Sequence, residues 1–192
     1  MLYKTRVRLK IVLIALSLFV FVNTAFADVC VWRDPERTMI KLFPHAEDYK
    51  TLVYKLTSDQ IHNIESLFGK SLDDSEKHEF NIYAINQSGK IIGWVMALAG
   101  TGEYGVIETV IGLNSDHSIR GVYLQRVRER KRKALKSDSF LNQFDGKKQG
   151  SEFNITAITG AEKASNEITL LIKKMLAFDA VLNVIPANSK PL

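Results

Sequence analysis

The sequence predicts an α+β domain: a twisted antiparallel sheet with a C-terminal helix and a small N-terminal helical lead-in. Three observations carry that prediction. Residues 79–127 alternate apolar and polar positions between turn residues, residues 161–181 repeat their apolar positions every three or four, and residues 57–69 open on a capping signature and close on glycine.

Taken in order, residues 35–43 predict a short helix, with Pro35 in its tolerated first turn and Pro44 stopping it. Met39, Ile40 and Phe43 form its apolar face. Residues 52–56 predict a short strand. Thr57 and Gln60 are spaced for a capping box, Ile61, Ile64, Leu67 and Phe68 give a helical stripe, and Gly69 supplies the stop. From Glu79 the period becomes two, with Phe80, Ile82 and Ala84 alternating against Asn81, Tyr83 and Ile85. Ser88-Gly89 turns the chain into a returning strand over 90–99. A glycine-rich link, 100–105, leads to strands over 106–113 and 119–127, so that 79–127 reads as a four-stranded meander. Residues 139–144 predict a short helix, and 153–158 predict a fifth strand on their β-branched and aromatic content. Ile168, Leu171, Ile172, Met175 and Leu176 then mark the buried stripe of a helix over about 161–181.

Ahead of the domain, Lys4, Arg6, Arg8 and Lys10 precede an apolar run over 11–22 and the small-x-small Ala25-Phe26-Ala27. This is the pattern of a cleavable signal peptide, cut after Ala27, and it predicts a periplasmic or otherwise extracytoplasmic protein. Twelve apolar or small residues are short of the roughly 20 a spanning helix wants. The expected organisation is signal peptide 1–27, N-terminal helical lead-in 28–78, α+β domain 79–185 and tail 186–192. Loss of residues 1–27 removes four of the 26 basic residues and none of the 21 acidic ones. The remainder is near neutral, which excludes a general electrostatic pull on nucleic acid. One basic run survives, Arg126–Lys136, and it predicts either a solvated face or contact with an anionic partner or lipid headgroup.

Cys30 is the single cysteine, which excludes an intrachain disulfide or a Cys-ligated zinc. His45, His62, His78 and His117 lack metal-ligand spacing, so no metal is expected. No P-loop, complete GxGxxG or nucleophile–base arrangement is legible, and no catalytic residue is assigned. A binding or electron-transfer module is expected rather than a stand-alone catalyst.

The most informative ten residues are 156–165, TAITGAEKAS. A predicted strand ends, Gly160 permits close backbone approach, and a long helix opens with free amides and the positive end of its dipole. Together with Gly112, Gly121-Val122, Phe140-Leu141-Asn142-Gln143-Phe144-Asp145-Gly146 and Ser165, this order of motifs resembles the FMN-binding domain family. That family includes the G subunit of Rnf electron-transport complexes, the C subunit of sodium-pumping NADH:quinone reductase and small exported relatives. The likeness covers about residues 80–180. It implies FMN as cofactor, a role accessory to extracytoplasmic electron transfer, and a membrane or periplasmic redox protein as partner. It places candidate cofactor contacts at Thr159, Gly160, Ala161, Glu162, Lys163 and Ser165, with Tyr104 or Trp94 as a surface for the flavin ring. In flavinylated relatives a threonine after Gly-Ala carries FMN through its hydroxyl. Glu162 stands at that position, so the resemblance implies no covalent flavin here. Three expectations follow: non-covalent FMN with its phosphate displaced toward Lys163 or the 126–136 run, a flavin-free homologue acting as a periplasmic interaction or assembly module, or a shallow likeness with some other ligand. Glu129, just after the fourth strand of the meander, is expected to orient a ligand or, as the simpler reading, to sit in a surface salt bridge.

Overall fold

The computed structural model describes residues 34–183. The signal segment, its cleavage point, Cys30 and the 186–192 tail lie outside them. Five strands form one antiparallel sheet in sequence order: β1 (Asp48–Tyr54), β2 (Phe80–Gln87), β3 (Lys90–Thr101), β4 (Val106–Asn114) and β5 (Ile119–Val127). The sheet has a helix-covered face on each side and does not close into a barrel.

One face carries the main core. Trp94, Met96 and Leu98 of β3, with Ile107, Ile111 and Leu113 of β4, meet α6 (Glu162–Leu182) and α2 (Ser58–Phe68). The predicted stripe of α6 is buried throughout, Ile168, Leu171, Ile172, Met175 and Leu176 being at most 2% exposed. On α2 only Ile64 of the expected stripe is fully buried, and Leu67 faces solvent. The capping box forms as expected: the Thr57 hydroxyl accepts from the Gln60 N–H, and the Gln60 side chain accepts from the Thr57 N–H. Gly69 closes the helix in the left-handed region.

The other face is covered by α1 (Glu36–Leu42), whose Met39 and the following Phe43 pack on Ile85, Val95 and Val110. This helix end sits in a trough of glycines. The backbone of Gly93 lies against the Phe43 ring, Gly112 against Phe43 and Leu42, and Gly121 against Leu42. Arg120 closes the seat by donating from Nε to the Leu42 carbonyl and stacking its guanidinium 4.6 Å from the Phe43 ring centroid.

Two differences from the sequence reading have clear causes. First, β1 lies at Asp48–Tyr54, earlier than the predicted 52–56, and pairs with β2 from Asp48↔Asn86 to Tyr54↔Phe80. It is an edge strand with no fully buried residue, so it lacks the alternation that marks register. Second, 153–158 is extended but joins no sheet; the fifth strand is β1. Side chains take the place of a ladder. Gln143 donates to the Thr156 carbonyl (3.3 Å) and accepts the Thr156 N–H (2.8 Å), and the Ser165 hydroxyl accepts the Ile158 N–H (3.0 Å). Gln143 itself leaves the 3₁₀ turn Asn142–Phe144 that follows α5 (Asp138–Leu141). Gln143→Leu removes both bonds to Thr156, so a loss of about 1–2 kcal/mol is expected, with faster hydrogen exchange at the Thr156 amide. Unchanged exchange there would show that the segment is held some other way.

The remaining elements are α3 (Asp74–His78) and α4 (Arg132–Leu135). Lys174 of α6, only 6% exposed, meets both oxygens of Glu76 on α3 at 2.8 and 2.9 Å and Asp73 at 3.6 Å. Glu76 also accepts the Asp73 N–H as part of its own capping box. Among the described residues, no helix is long and apolar enough to cross a membrane.

Candidate functional site

The predicted junction forms where the extended 153–158 segment turns into α6. Gly160 has φ +77°, a left-handed conformation that glycine adopts without strain. Ala161 is the N-cap, is 1% exposed, and its side chain offers no acceptor. The helix start is instead closed by Glu162. Its Oε1 accepts the Gly160 N–H at 2.8 Å. The Gly160 amide bond, then the Glu162 amide, hold the Glu162 carboxyl below the usual carboxylate range. A carboxylate therefore already lies against the amides and the positive dipole end that would otherwise attract an anion.

The other candidates divide by what the fold does with them. Thr159, Gly160 and Lys163 are at least partly open to solvent. Ser165 is 1% exposed and its hydroxyl is used twice, donating to the Ala161 carbonyl (2.9 Å) and accepting the Ile158 N–H. It ties the strand-like segment to the helix, and with its one O–H donated and the group buried it has no proton to offer a ligand.

Tyr104 lies in the glycine-rich link and is 46% exposed. Its N–H donates to Glu129 Oε1 at 3.0 Å, and the Arg130 guanidinium lies 4.5 Å from its ring centroid. Glu129 is not in a surface salt bridge as expected. It is 7% exposed and packs against Gly102, where the missing Cβ leaves room for the carboxylate. Glu167 of α6 packs in the same way against Gly100. The 128–131 segment then joins the link to the junction, because the Lys131 stem passes over Gly160, 3.6 Å from where a Cβ would stand. Sequence reasoning missed Glu167 as a neighbour of this site and reached Lys131 only as one member of the 126–136 run. The spacing of Gly100 and Gly102 was the available signal, since paired glycines mark a backbone that something approaches closely.

Trp94 does not belong here. It is 1% exposed in the main core, against the last turns of α6. Asp179 is 17 residues beyond Glu162, about 25 Å along the helix, and forms a second polar group there. Its Oδ2 meets His117 Nδ1 at 2.8 Å, and the Trp94 and His117 rings are 5.6 Å apart. The indole Nε1 lies near the same carboxylate but outside hydrogen-bond geometry. Burial pushes the Asp179 carboxyl up, while His117 pulls it down by hydrogen bond and charge.

His117→Ala removes both lowering effects and leaves the buried carboxylate without its partner, an expected loss of about 1–3 kcal/mol at pH 7. A raised carboxyl pKa contributes stability that is complete below the unfolded value and is lost as pH rises through the folded value. The deficit of the variant should therefore shrink in acid and grow toward neutrality. Thermal melts between pH 4 and 8 check this, and a pH-independent deficit would refute the assignment.

Among the described residues, no group of three His, Cys, Asp or Glu is placed to hold a metal ion. No protein-family model matches the sequence, and no curated protein matches it. Solved structures do. NqrC from Shewanella oneidensis aligns over 82% of this chain and 93% of its own, with 14% identity and a TM-score of 0.48. The NqrC counterpart from Parabacteroides distasonis, a component of the Na(+)-translocating NADH-quinone reductase, aligns over 83% of this chain and 87% of its own, with 16% identity and a TM-score of 0.51. The chain is thus similar in fold to that reductase component.

Proposed function

We propose that this chain is an exported, flavin-free relative of the FMN-binding domains, serving as an interaction or assembly module for a redox partner outside the cytoplasm. The observation that carries the reading is the Glu162–Gly160 bond. The start of α6 is where the family resemblance places a flavin phosphate, and here a side-chain carboxylate takes up that place. A phosphate with nearly two negative charges would have to displace Glu162 or lie against it. Covalent attachment has no matching hydroxyl, because Glu162 has none and the Ser165 hydroxyl is committed within the fold. The site as folded does not fit the FMN phosphate.

A second reading keeps FMN without a covalent bond. It is favoured by the exposed Tyr104 ring and by Lys131 beside Gly160, which together offer an apolar surface and a displaced cation.

The protein purified from the compartment it is exported to decides between them. A colourless protein that shows no saturable FMN titration, with an intact mass that begins at Asp28 and carries no added flavin, is the expected result. A yellow protein or tight FMN binding would overturn the flavin-free reading. Glu162→Thr vacates the helix start, and weak FMN or phosphate binding gained by that variant alone is expected if the carboxylate is what excludes the anion.

A further inference from the structure

Four of the seven basic residues in the run gather at one place, while Arg128, Arg130 and Lys131 lie toward the glycine-rich link and the junction. Arg126, at the end of β5, and Arg132, Lys133 and Lys136, on and just after α4, surround one open cavity of about 520 Å³ together with Gln125 and Val127. A second cavity of about 400 Å³ shares Gln125 with it and is lined by Arg37, Thr38 and Lys41 of α1, by Tyr123, and by one acidic residue, Asp34. The two adjoin at Gln125, along the outer strand of the sheet, and are taken together as one two-lobed trough.

Its charge is arranged rather than neutralised. Arg126 is held 3.6 Å from the buried Glu108. Arg132, Lys133 and Lys136 are exposed, and no ion pair among the described residues engages them. Arg132 and Lys136 are one helical turn apart, a spacing at which like charges repel. The fully buried Leu135 fixes α4 to the core, so these cations project from an anchored backbone. The field is shared between the two cavities. Lys41 donates to the Tyr123 hydroxyl at 2.9 Å, and Lys41, with Lys136 behind it, holds that phenol below its usual pKa.

The shape selects among anionic ligands. A two-lobed trough suits a narrow, extended chain, whereas a bilayer surface needs cations flanked by apolar side chains that can enter it. The exposed large apolar residues Ile40, Val53, Leu67 and Tyr104 line neither cavity. We propose that this trough docks an extended acidic segment of a partner protein, with carboxylates on Arg132, Lys133 and Lys136 and the chain continuing across Gln125 toward Lys41 and Arg37. The proposal deepens the interaction-module reading and rests on it, while its test is independent of flavin.

The test measures fluorescence anisotropy of a labelled ten-residue polyglutamate peptide with the full-length protein at low and high salt. Saturable binding that weakens with salt is expected. Arg132→Glu, Lys133→Glu and Lys136→Glu combined should weaken it at least about tenfold. Reversing Lys55, Lys70 and Lys90 to Glu makes the same change in net charge on other exposed surfaces and should leave binding within about twofold. No binding at low salt, or equal losses in the two triple variants, would overturn the proposal. So would trough-dependent binding to phosphatidylglycerol vesicles in place of the peptide. FMN binding with the peptide result intact would refute the flavin-free reading and leave the docking site standing.

Discussion

Lys174→Met is expected to lower stability by about 3 kcal/mol, the lower end of the cost of stripping one partner from a buried ion pair. Methionine keeps much of the apolar stem and loses the ammonium, which also lies 5.5 Å from the Phe68 ring centroid. Glu76 is then left largely enclosed, with a single bond to the Asp73 N–H. The loss should be felt where α3 meets α6, so hydrogen exchange over 73–78 should quicken more than exchange in the sheet. Adding Glu76→Gln removes the stranded charge and should restore about half of the loss or more. If the single variant melts with the parent, or the second substitution deepens the loss, the pair is not the tie that its geometry describes.

Gly93→Ala is the other large effect, expected to cost more than about 3 kcal/mol. A Cβ at this position would meet the Leu113 carbonyl oxygen of the neighbouring strand and the Phe43 ring at 2.7 and 2.8 Å. A flexible side chain can yield, but a paired strand backbone cannot shift without breaking its register with β3. Phe43→Ala added to Gly93→Ala therefore relieves the ring and not the carbonyl, and the double variant should remain less stable than Phe43→Ala alone. Chemical denaturation of the four proteins of this cycle checks it. Full rescue by the Phe43 substitution would mean that the carbonyl contact is unimportant.

What the sequence disclosed and what it withheld follow one physical division. The α6 stripe, the Thr57–Gln60 box and the 79–127 meander were legible because each is a local pattern, set by period or by residues three apart. The segment 153–158 was misassigned because Phe153, Ile155 and Ile158 have strand preferences, while strand formation needs a partner edge, which preference does not reveal. Its amides were claimed by Gln143 and Ser165. Glu129 was placed at the surface because a charged residue after a strand usually lies there. Its burial depends on Gly102, 27 positions earlier. Lys174 sits among the apolar residues of α6, and its partner Glu76 is 98 positions away. Gly112 and Gly121 fit a family pattern in the sequence, but their physical reason lies in Leu42 and Phe43. At the junction, TGAE is legible as a strand-to-helix turn, yet the closure of the helix by Glu162 is a matter of side-chain conformation.

The glycine trough also sets an order of events. Bonds from Arg120, Tyr123 and Gln125 of β5 to α1 and its flanks span 78 to 91 positions, and Leu42 rests on Gly121 itself. A chain that appears N-terminus first presents Met39 and Phe43 long before the strands that receive them. Loop closure over such distances is slow compared with forming a hairpin. The meander can therefore assemble while α1 still waits, with its apolar face open to any holding chaperone. The first helix of the described chain is then among the last parts to reach its seat, and its arrival completes one wall of the basic trough.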